Sequence, residues 1–320
     1  MVVAIHTGLF PEYLYPWLRV AVPLFFIMSS YFLFSKLHKH HDDEKKILHD
    51  FIFKNVRMYL FWTVVQLPLI LYRRRWFDSG VLRGIARTIR GVLFGGTFMA
   101  PWYIPALIEG VLLIWYLSRH CKAQILLGIC MLVYVTVHYR SSLYSVFSCG
   151  NMGASLIAAY EKVFTVPYLS FPVSFLYIWS GKQLAEKGER FCMEKRVLYL
   201  LIFALCCLLY IEWRWIGGVS GSIDNDVYVM LPLCCMGLFL IVKDWKLQLH
   251  GRNIDLRKAS TIIYVTHGSV IAVVGHLIRR FAGESSLLVF MITVMICEAI
   301  CAIILKLERL KNFRWLRYVY

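Results

Sequence analysis

The chain has 320 residues, of which 59% are hydrophobic and only 17% charged, and its mean hydropathy is +0.63. A soluble domain is typically about 45–50% apolar and about 25% charged, so this composition excludes an ordinary soluble protein and predicts a membrane protein. The net charge of +16 fits a protein that binds nucleic acid, but the positive-inside rule gives the same excess in cytoplasmic loops.

Apolar runs of about 20 residues recur along the whole chain, as expected for a polytopic bundle of transmembrane helices. The predicted fold class is therefore all-α, with about ten helices in a single membrane domain over residues 1–320. The predicted spans are 1–10, 17–36, 56–73, 98–118, 123–138, 165–181, 197–216, 227–243, 259–279 and 286–306.

The first of these runs is too short to cross a bilayer. Ten helical residues extend about 15 Å, which is about half of a hydrocarbon core of about 30 Å. The run starts directly in apolar sequence and lacks the basic n-region of a secretory signal peptide. Either the native chain begins further upstream or the run is a re-entrant stub, and we expect the first.

The positions of the cations decide between the two explanations of the net charge. If the N-terminus is cytoplasmic, most of the 35 Lys and Arg residues fall in the inner connections between the predicted spans. This asymmetry predicts a multi-pass protein of the lipid bilayer with both termini in the cytoplasm. It also argues against nucleic acid as a partner.

The main exception to this asymmetry of Lys and Arg is a stretch of cations on the outer side of the membrane, which includes residues 81–93. Arg83, Arg87 and Arg90 recur at helical spacing while apolar residues fill the other faces, which predicts an amphipathic helix along the membrane interface. This helix either binds lipid head groups or forms a surface for an anionic substrate beside the pore, and the sequence leaves both roles open.

The cysteine and histidine patterns predict neither a disulfide framework nor a metal site. The ten Cys include the pairs Cys206-Cys207 and Cys234-Cys235 inside apolar runs, and none has the CxxC spacing of a zinc or redox site. One polar cluster is expected to be a solvated loop, because it lacks the helical spacing of metal ligands. Its members are His38, His40, His41, Asp42 and Asp43.

Ionisable residues inside the spans are functional candidates, because each costs about 2.5–3.5 kcal/mol at mid-helix on insertion scales. They are His6, Arg19, Arg57, Glu109, Glu212, His267, His276 and Glu298.

Three of these candidates suggest definite chemistry. An imidazole such as His6 suits a general base that removes a proton from a hydroxyl, although a structural His bonded to a neighbouring helix has the same pattern. Arg57 lies one turn after Lys54 at the inner boundary, which suits a phosphate group but also fits ordinary anchoring. Arg19 either serves the site or snorkels to the outer interface.

Several motifs follow one another along most of the chain. They are His6, then Arg19-Val-Ala-Val-Pro-Leu-Phe-Phe and Ser29-Ser30-Tyr31, then Arg57, Trp102-Tyr-Ile-Pro105 and Ser260-Thr-Ile-Ile-Tyr264-Val-Thr-His267. In this order they resemble the acyltransferase 3 family of multi-pass membrane O-acyltransferases, except that Ser30 replaces the usual Gly. The family pattern has an Arg eleven residues before the first-helix His, which falls upstream of residue 1. Within the family, the chain is most similar to the membrane half of the vancomycin-resistance serine racemases.

The resemblance implies transfer of an acyl group, commonly acetyl from acetyl-CoA, to a hydroxyl of a small molecule or cell-envelope glycan in a bacterial cell membrane. The residues that it assigns are His6 and Arg19 for catalysis, Lys54 and Arg57 for the acyl-CoA donor, and Trp102, Tyr264 and His267 for the substrate. No metal is expected.

The similarity to the racemases supports a second hypothesis. Their soluble racemase domain is not represented in these 320 residues, so no pyridoxal phosphate chemistry is expected. The membrane module would then import serine, or supply it to a soluble racemase partner or fused domain, without transferase activity. Polar groups within spans fit a transport path equally well, but no inverted repeat is recognised in the sequence.

Overall fold

The computed structural model describes residues 1–73, 80–95, 102–144, 152–187, 194–220, 226–243, 253–281, 283 and 285–320. Within these ranges the chain is helical and contains no strand. The helices are α1 (Val2–Thr7), α2 (Tyr15–Leu18), α3 (Ala21–Lys39), α4 (Glu44–Arg73), α5 (Val81–Phe94), α6 (Tyr103–His120), α7 (Ala123–His138), α8 (Met152–Val163), α9 (Phe171–Lys187), α10 (Lys195–Ser220), α11 (Leu231–Lys243), α12 (Asn253–Phe281) and α13 (Ser286–Leu307). Shorter turns are Glu12–Leu14, His41–Asp43, Tyr139–Leu143, Pro167–Leu169 and Lys311–Tyr318.

The predicted spans all overlap these helices, although residues 98–101 lie outside the described ranges. Within the described ranges, five helical stretches are long and apolar enough to cross a membrane, and α11 is a shorter apolar helix. The five are Glu12–Lys39, Ala123–Leu143, Lys195–Ser220, Asp255–Phe281 and Ser286–Leu307. The prediction of an all-α, multi-pass membrane protein is confirmed, whereas the number of ten spans stays a prediction.

Several helices begin at positions other than those that hydropathy indicates, and α4 and α9 are two examples. α4 begins at Glu44 instead of 56, because good helix formers precede the apolar run and Ile47 and Leu48 bury their side chains there. α9 begins at Phe171 instead of 165, because the preceding residues form a separate 3₁₀ turn that begins at Pro167. Hydropathy therefore locates both helices but not their first turns.

The chain divides into two compact units. Unit 1 comprises Met1–Pro11, Phe53–Ile104 and Lys246–Tyr320, and unit 2 comprises Glu12–Ile52 and Pro105–Trp245. The grouping of all 320 residues in one membrane domain stays a prediction.

In unit 2, α3 and α9 approach each other closely at a glycine. A Cβ atom on Gly181 would lie 2.5 Å from the carbonyl oxygen of Ile27 and would overlap the hydroxyl of Ser30. That hydroxyl donates to the carbonyl oxygen of Phe26 at 2.7 Å, so it is satisfied in the apolar interior. Small residues therefore set the separation of these helices, as is usual in membrane bundles.

Buried tyrosines connect α7 and α9 in the same unit. The hydroxyl of Tyr134 donates to the carbonyl oxygen of Tyr228 at 2.7 Å and accepts from the hydroxyl of Tyr177 at 2.9 Å. Because every hydroxyl hydrogen in this chain of bonds has an acceptor, both phenols enter the apolar interior without the cost of an unpaired donor.

In unit 1, α4 packs against α12 and against the C-terminal segment. The side-chain amide nitrogen of Gln66 in α4 donates to the carbonyl oxygen of Val265 in α12 at 2.7 Å. The indole nitrogen of Trp62 donates to the carbonyl oxygen of Val319 at 2.8 Å. α1 contacts both α12 and α13, so five separate parts of the chain meet in this unit.

The predicted amphipathic helix is present as α5. Its buried residues are the small Gly84, Thr88 and Gly91, and its apolar side chains are exposed, with Leu82 at 83%. A helix that packs through small residues and presents Leu and Ile outward suits the boundary between lipid and water. Its interfacial position and the two roles weighed for it stay predictions.

We expect Gly181→Val to destabilise the protein by about 1–3 kcal/mol or more, because the new side chain must displace the backbone of α3. Gly128→Val in α7 is the matched control, since a Cβ atom there meets nothing within 4 Å. The measurement is the temperature at which each variant in detergent loses its monodisperse gel-filtration peak. Equal midpoints for the two variants would contradict the packing described for α3 and α9.

Candidate active site

Two histidines far apart in the sequence lie together in unit 1. The rings of His6, near the end of α1, and His267, in the middle of α12, stack with centroids 5.6 Å apart and an interplanar angle of 27°. His6 is exposed, whereas His267 is 0% exposed. The contacts of α1 with α12 and α13 hold the first ring beside the second.

Hydrogen bonds define the protonation pattern of His267. Its Nδ1 lies 2.6 Å from the carbonyl oxygen of Tyr264 and 3.2 Å from that of Ile263, and carbonyls only accept, so Nδ1 carries hydrogen. Nε2 is buried and has no hydrogen-bond partner in the described part of the chain. In the neutral ring Nε2 is an acceptor, and a buried polar atom without a partner is costly enough to mark a functional site.

A cavity of about 710 Å³ lies beside His6 in unit 1. This volume falls within the range of about 300–1,000 Å³ that is typical of small-molecule sites. Its polar lining includes His276 and Arg279 from the end of α12 and Ser286 from the start of α13, with apolar walls such as Leu69. The cavity therefore offers hydrogen-bonding and cationic groups to a small polar ligand.

A chain of aromatic rings leads away from the histidine pair. Tyr264 lies with its ring centroid 5.8 Å from that of His267 and 5.6 Å from that of Tyr103. Trp102 directly precedes Tyr103 and is half-buried. The structure thus brings together three of the residues assigned from the sequence (His6, His267 and Tyr264).

A basic site lies at another place in unit 1. The guanidinium carbon of Arg57 is 3.9 Å from the ring centroid of Tyr318 and 5.5 Å from that of Phe53. Its Nε is buried and has no hydrogen-bond partner among the described residues. Partial burial lowers the pKa of Lys54, and the charges of Arg257 and Arg57 lower it further. Three cations therefore converge here.

Helix register relates this basic site to the histidines. Lys54 interacts with Arg257, and Gln66 contacts Val265, so α4 and α12 run in the same direction past each other. Along α12, His267 lies ten residues beyond Arg257, or about 15 Å at the α-helical rise. The cavity residues from Ile271 onward come next. Unit 1 therefore contains cations, the buried His267 and the cavity in this order.

Arg19, the second residue assigned to catalysis, belongs to unit 2. Its guanidinium forms an ion pair with the carboxylate of Asp226. It lies between α2 and α3, where it is the residue that ends α2. An apolar environment favours such pairing, because an isolated buried charge is costly.

The other candidates within the spans have varied surroundings. Glu212 accepts from the backbone nitrogens of Val229 and Met230 at 2.6 and 2.9 Å, just before the start of α11, where a negative charge stabilises the helix dipole. Glu109 has a buried Oε2 without a hydrogen-bond partner in the described ranges. Glu298 is exposed on α13.

The loop cluster predicted to be solvated is exposed throughout. Its members are His38, His40, His41, Asp42 and Asp43. Among the described residues, no group of three or more His, Cys, Asp or Glu side chains is arranged to hold a metal ion. The eight described cysteines are free thiols.

Three residues of these sites were not assigned from the sequence. No role is assigned to Asp226 from the sequence, although an acidic residue at the edge of an apolar run favours a cationic partner. In the sequence, Arg257 cannot be distinguished from the many other Lys and Arg residues of the inner connections. Tyr318 carries no pattern of its own, because its contact with Arg57 depends on how the segment Lys311–Tyr318 folds back.

The C-terminal segment is anchored by a carboxylate. Glu308 accepts from Lys258 at 3.1 Å and from the hydroxyl of Tyr320. Burial alone would raise the pKa of Glu308, but the hydrogen bonds from Tyr320 and Lys258 prevail and hold the pKa below its ordinary value of 4.5. The ionised form therefore stabilises the anchored segment.

We expect this anchoring to be lost in acid. Because the folded pKa of Glu308 is depressed, its contribution is present above the unfolded value of about 4.5 and disappears as the pH falls through the folded pKa. Deuterium uptake by residues 311–318, corrected for intrinsic exchange rates, should rise over that interval. Glu308→Gln should show high uptake already at pH 7 and no further rise, whereas Glu298→Gln should behave like the parent. A flat parent profile would contradict the anchoring.

The comparisons with known proteins identify a family. Residues 1–306 match the acyltransferase 3 family, described as an acyltransferase domain. An amino-acid racemase from Enterococcus faecalis is 25% identical over 337 residues, which cover 97% of this chain and 45% of that protein. A serine/alanine racemase from Enterococcus gallinarum is 26% identical over 262 residues, with 77% and 36% covered.

The chain thus spans less than half the length of these relatives. No solved structure matches it. Because the family match extends over nearly the whole chain, the protein is a multi-pass membrane protein that belongs to the acyltransferase 3 family.

Proposed function

We propose that this protein transfers an acyl group, with acetyl as the expected group, from acyl-CoA to a hydroxyl of a small molecule or a cell-envelope glycan. The observation that carries the proposal is the stacked pair of His6 and His267 beside a cavity. An exposed imidazole at the wall of a cavity is well suited to contact a bound hydroxyl.

The basic site supports an acyl-CoA donor. Arg57 and Arg257 both repel Lys54, and an anionic ligand such as the phosphates of CoA relieves that repulsion. The distance of about 15 Å along α12 between Arg257 and His267 requires an extended donor whose charged and reactive ends are well separated. Acyl-CoA has this property, because its thioester is carried on a long arm.

In the proposed reaction, the acceptor hydroxyl gives its proton to His6 as its oxygen attacks the thioester carbonyl. The new oxygen–carbon bond forms, the carbon–sulfur bond breaks, and CoA leaves as a thiolate that takes up a proton. The free Nε2 of His267 is available to accept a hydrogen bond beside this step. Trp102 and Tyr264 shape the path of the acyl arm. The proposed role of Arg19, orienting the acceptor or stabilising the oxyanion, rests on the family pattern.

A second candidate function follows from the relatives named racemases. In that case the chain imports serine or supplies it to a soluble racemase partner, and the cavity beside His6 is a transport site. For either function we propose a bacterial cell membrane and cytoplasmic termini, since the excess of Lys and Arg in alternate connections fits that orientation.

A paired assay separates the two functions. Purified protein in proteoliposomes is given radiolabelled acetyl-CoA, and acyl transfer and thioester hydrolysis are measured beside uptake of labelled serine. We expect consumption of acetyl-CoA that depends on the protein. Serine uptake without any consumption of acetyl-CoA would favour the transport module and overturn the transferase.

Variants of the two proposed sites should fail in different ways. We expect His6→Gln to lower kcat by about 10²–10⁴-fold, because an amide cannot accept the proton. Arg57→Ala should mainly raise KM for acetyl-CoA. Arg57→Lys should raise KM less, because lysine keeps the positive charge but lacks the planar guanidinium that forms two hydrogen bonds to a phosphate. The measurement is steady-state kinetics at varied acetyl-CoA, with His120→Gln as the control, since His120 is exposed and does not line the cavity. Near-normal kcat in His6→Gln would remove His6 from the mechanism.

A further inference from the structure

The segment Lys311–Tyr318 lies beyond the part of the chain that matches the family, which ends at residue 306. It is nevertheless held against unit 1. Val319 accepts from the indole of Trp62, and Tyr320 donates to Glu308, which also binds Lys258. These bonds hold the two residues that directly follow the segment, so its C-terminal end is fixed.

This arrangement places one aromatic ring of the segment, that of Tyr318, against the basic site. The ring of Tyr318 packs on the guanidinium of Arg57 at 3.9 Å, while its side chain remains 39% exposed. Arg317 donates to the hydroxyl of Tyr318 at 3.1 Å. The ring is thus oriented by two cations and still presents surface to solvent.

The surroundings of Arg57 and Lys54 in the described part of the chain favour an added negative charge. Arg57 has a buried Nε without a hydrogen-bond partner among the described residues. Lys54 is close enough to Arg57 and Arg257 for their charges to disfavour its protonation. A cluster of this kind is stabilised when an anion with several charged oxygens enters it.

We propose that Tyr318 and Arg257 bind the nucleotide end of the donor, with Tyr318 stacking on the adenine base and Arg257 joining Lys54 and Arg57 on the phosphates. The inference rests on the proposed function and deepens it. Aromatic rings and arginine planes are the usual stacking partners of bases. The C-terminal segment then becomes part of the donor site instead of a tail of the bundle.

The test compares a donor that contains the nucleotide with one that lacks it. Kinetics are measured for acetyl-CoA and for S-acetylpantetheine with Tyr318→Leu and Arg257→Gln. For each variant we expect kcat/KM for acetyl-CoA to fall about tenfold, the equivalent of about 1.4 kcal/mol, while kcat/KM for S-acetylpantetheine stays at the parent value. Tyr318→Phe keeps the ring and should retain activity, and Arg314→Gln controls for removal of one charge from the segment.

Binding of CoA itself, measured by titration calorimetry, separates failure of this inference from failure of the proposed function. If the parent turns over neither donor yet binds CoA, and both variants bind it about tenfold more weakly, the transferase proposal fails and the nucleotide site stands. Unchanged CoA affinity in both variants, or equal losses with the two donors, would overturn the nucleotide site.

Discussion

The buried imidazole of His267 is the constraint on which this account depends. In the apolar interior of a membrane protein a polar atom without a partner is costly, and here Nδ1 is committed to the backbone while Nε2 has no partner among the described residues. The ring is reached from the cavity through His6, which stacks on it. The unpaired Nε2 lowers the stability of the fold. The same arrangement holds a pair of imidazoles between packed helices, beside a space large enough for a small ligand.

The parallel course of α4 and α12 gives that pair its relation to the basic site. Interactions at two levels, Lys54 with the charge of Arg257 and Gln66 with Val265, fix the register of the two helices. A ligand that contacts both the basic site and the histidine pair must therefore be long and carry its charge at one end. Rigid helices rather than loops set this distance, which favours precise positioning of a reactive group.

Periodicity and hydropathy predict much of the fold, because both depend on local sequence. The spacing of Arg83, Arg87 and Arg90 gives α5, and the apolar runs locate the long helices. Contacts that join distant residues carry no local pattern, so the stacking of His6 on His267 and the pairing of Arg19 with Asp226 could not be predicted as contacts. Each of these residues can be recognised by itself in the sequence as an ionisable group in or beside an apolar run. The family resemblance selected His6, Arg19 and His267 but gave no role to Tyr318.

The most direct test of the central claim is an experimental structure of the protein with a non-hydrolysable acetyl-CoA analogue in which the thioester sulfur is replaced by carbon. The account predicts density for the phosphates beside Lys54, Arg57 and Arg257, and for the acetyl carbonyl beside His6 and His267. An analogue bound with its acetyl end away from the two imidazoles would contradict it, even if the protein consumes acetyl-CoA.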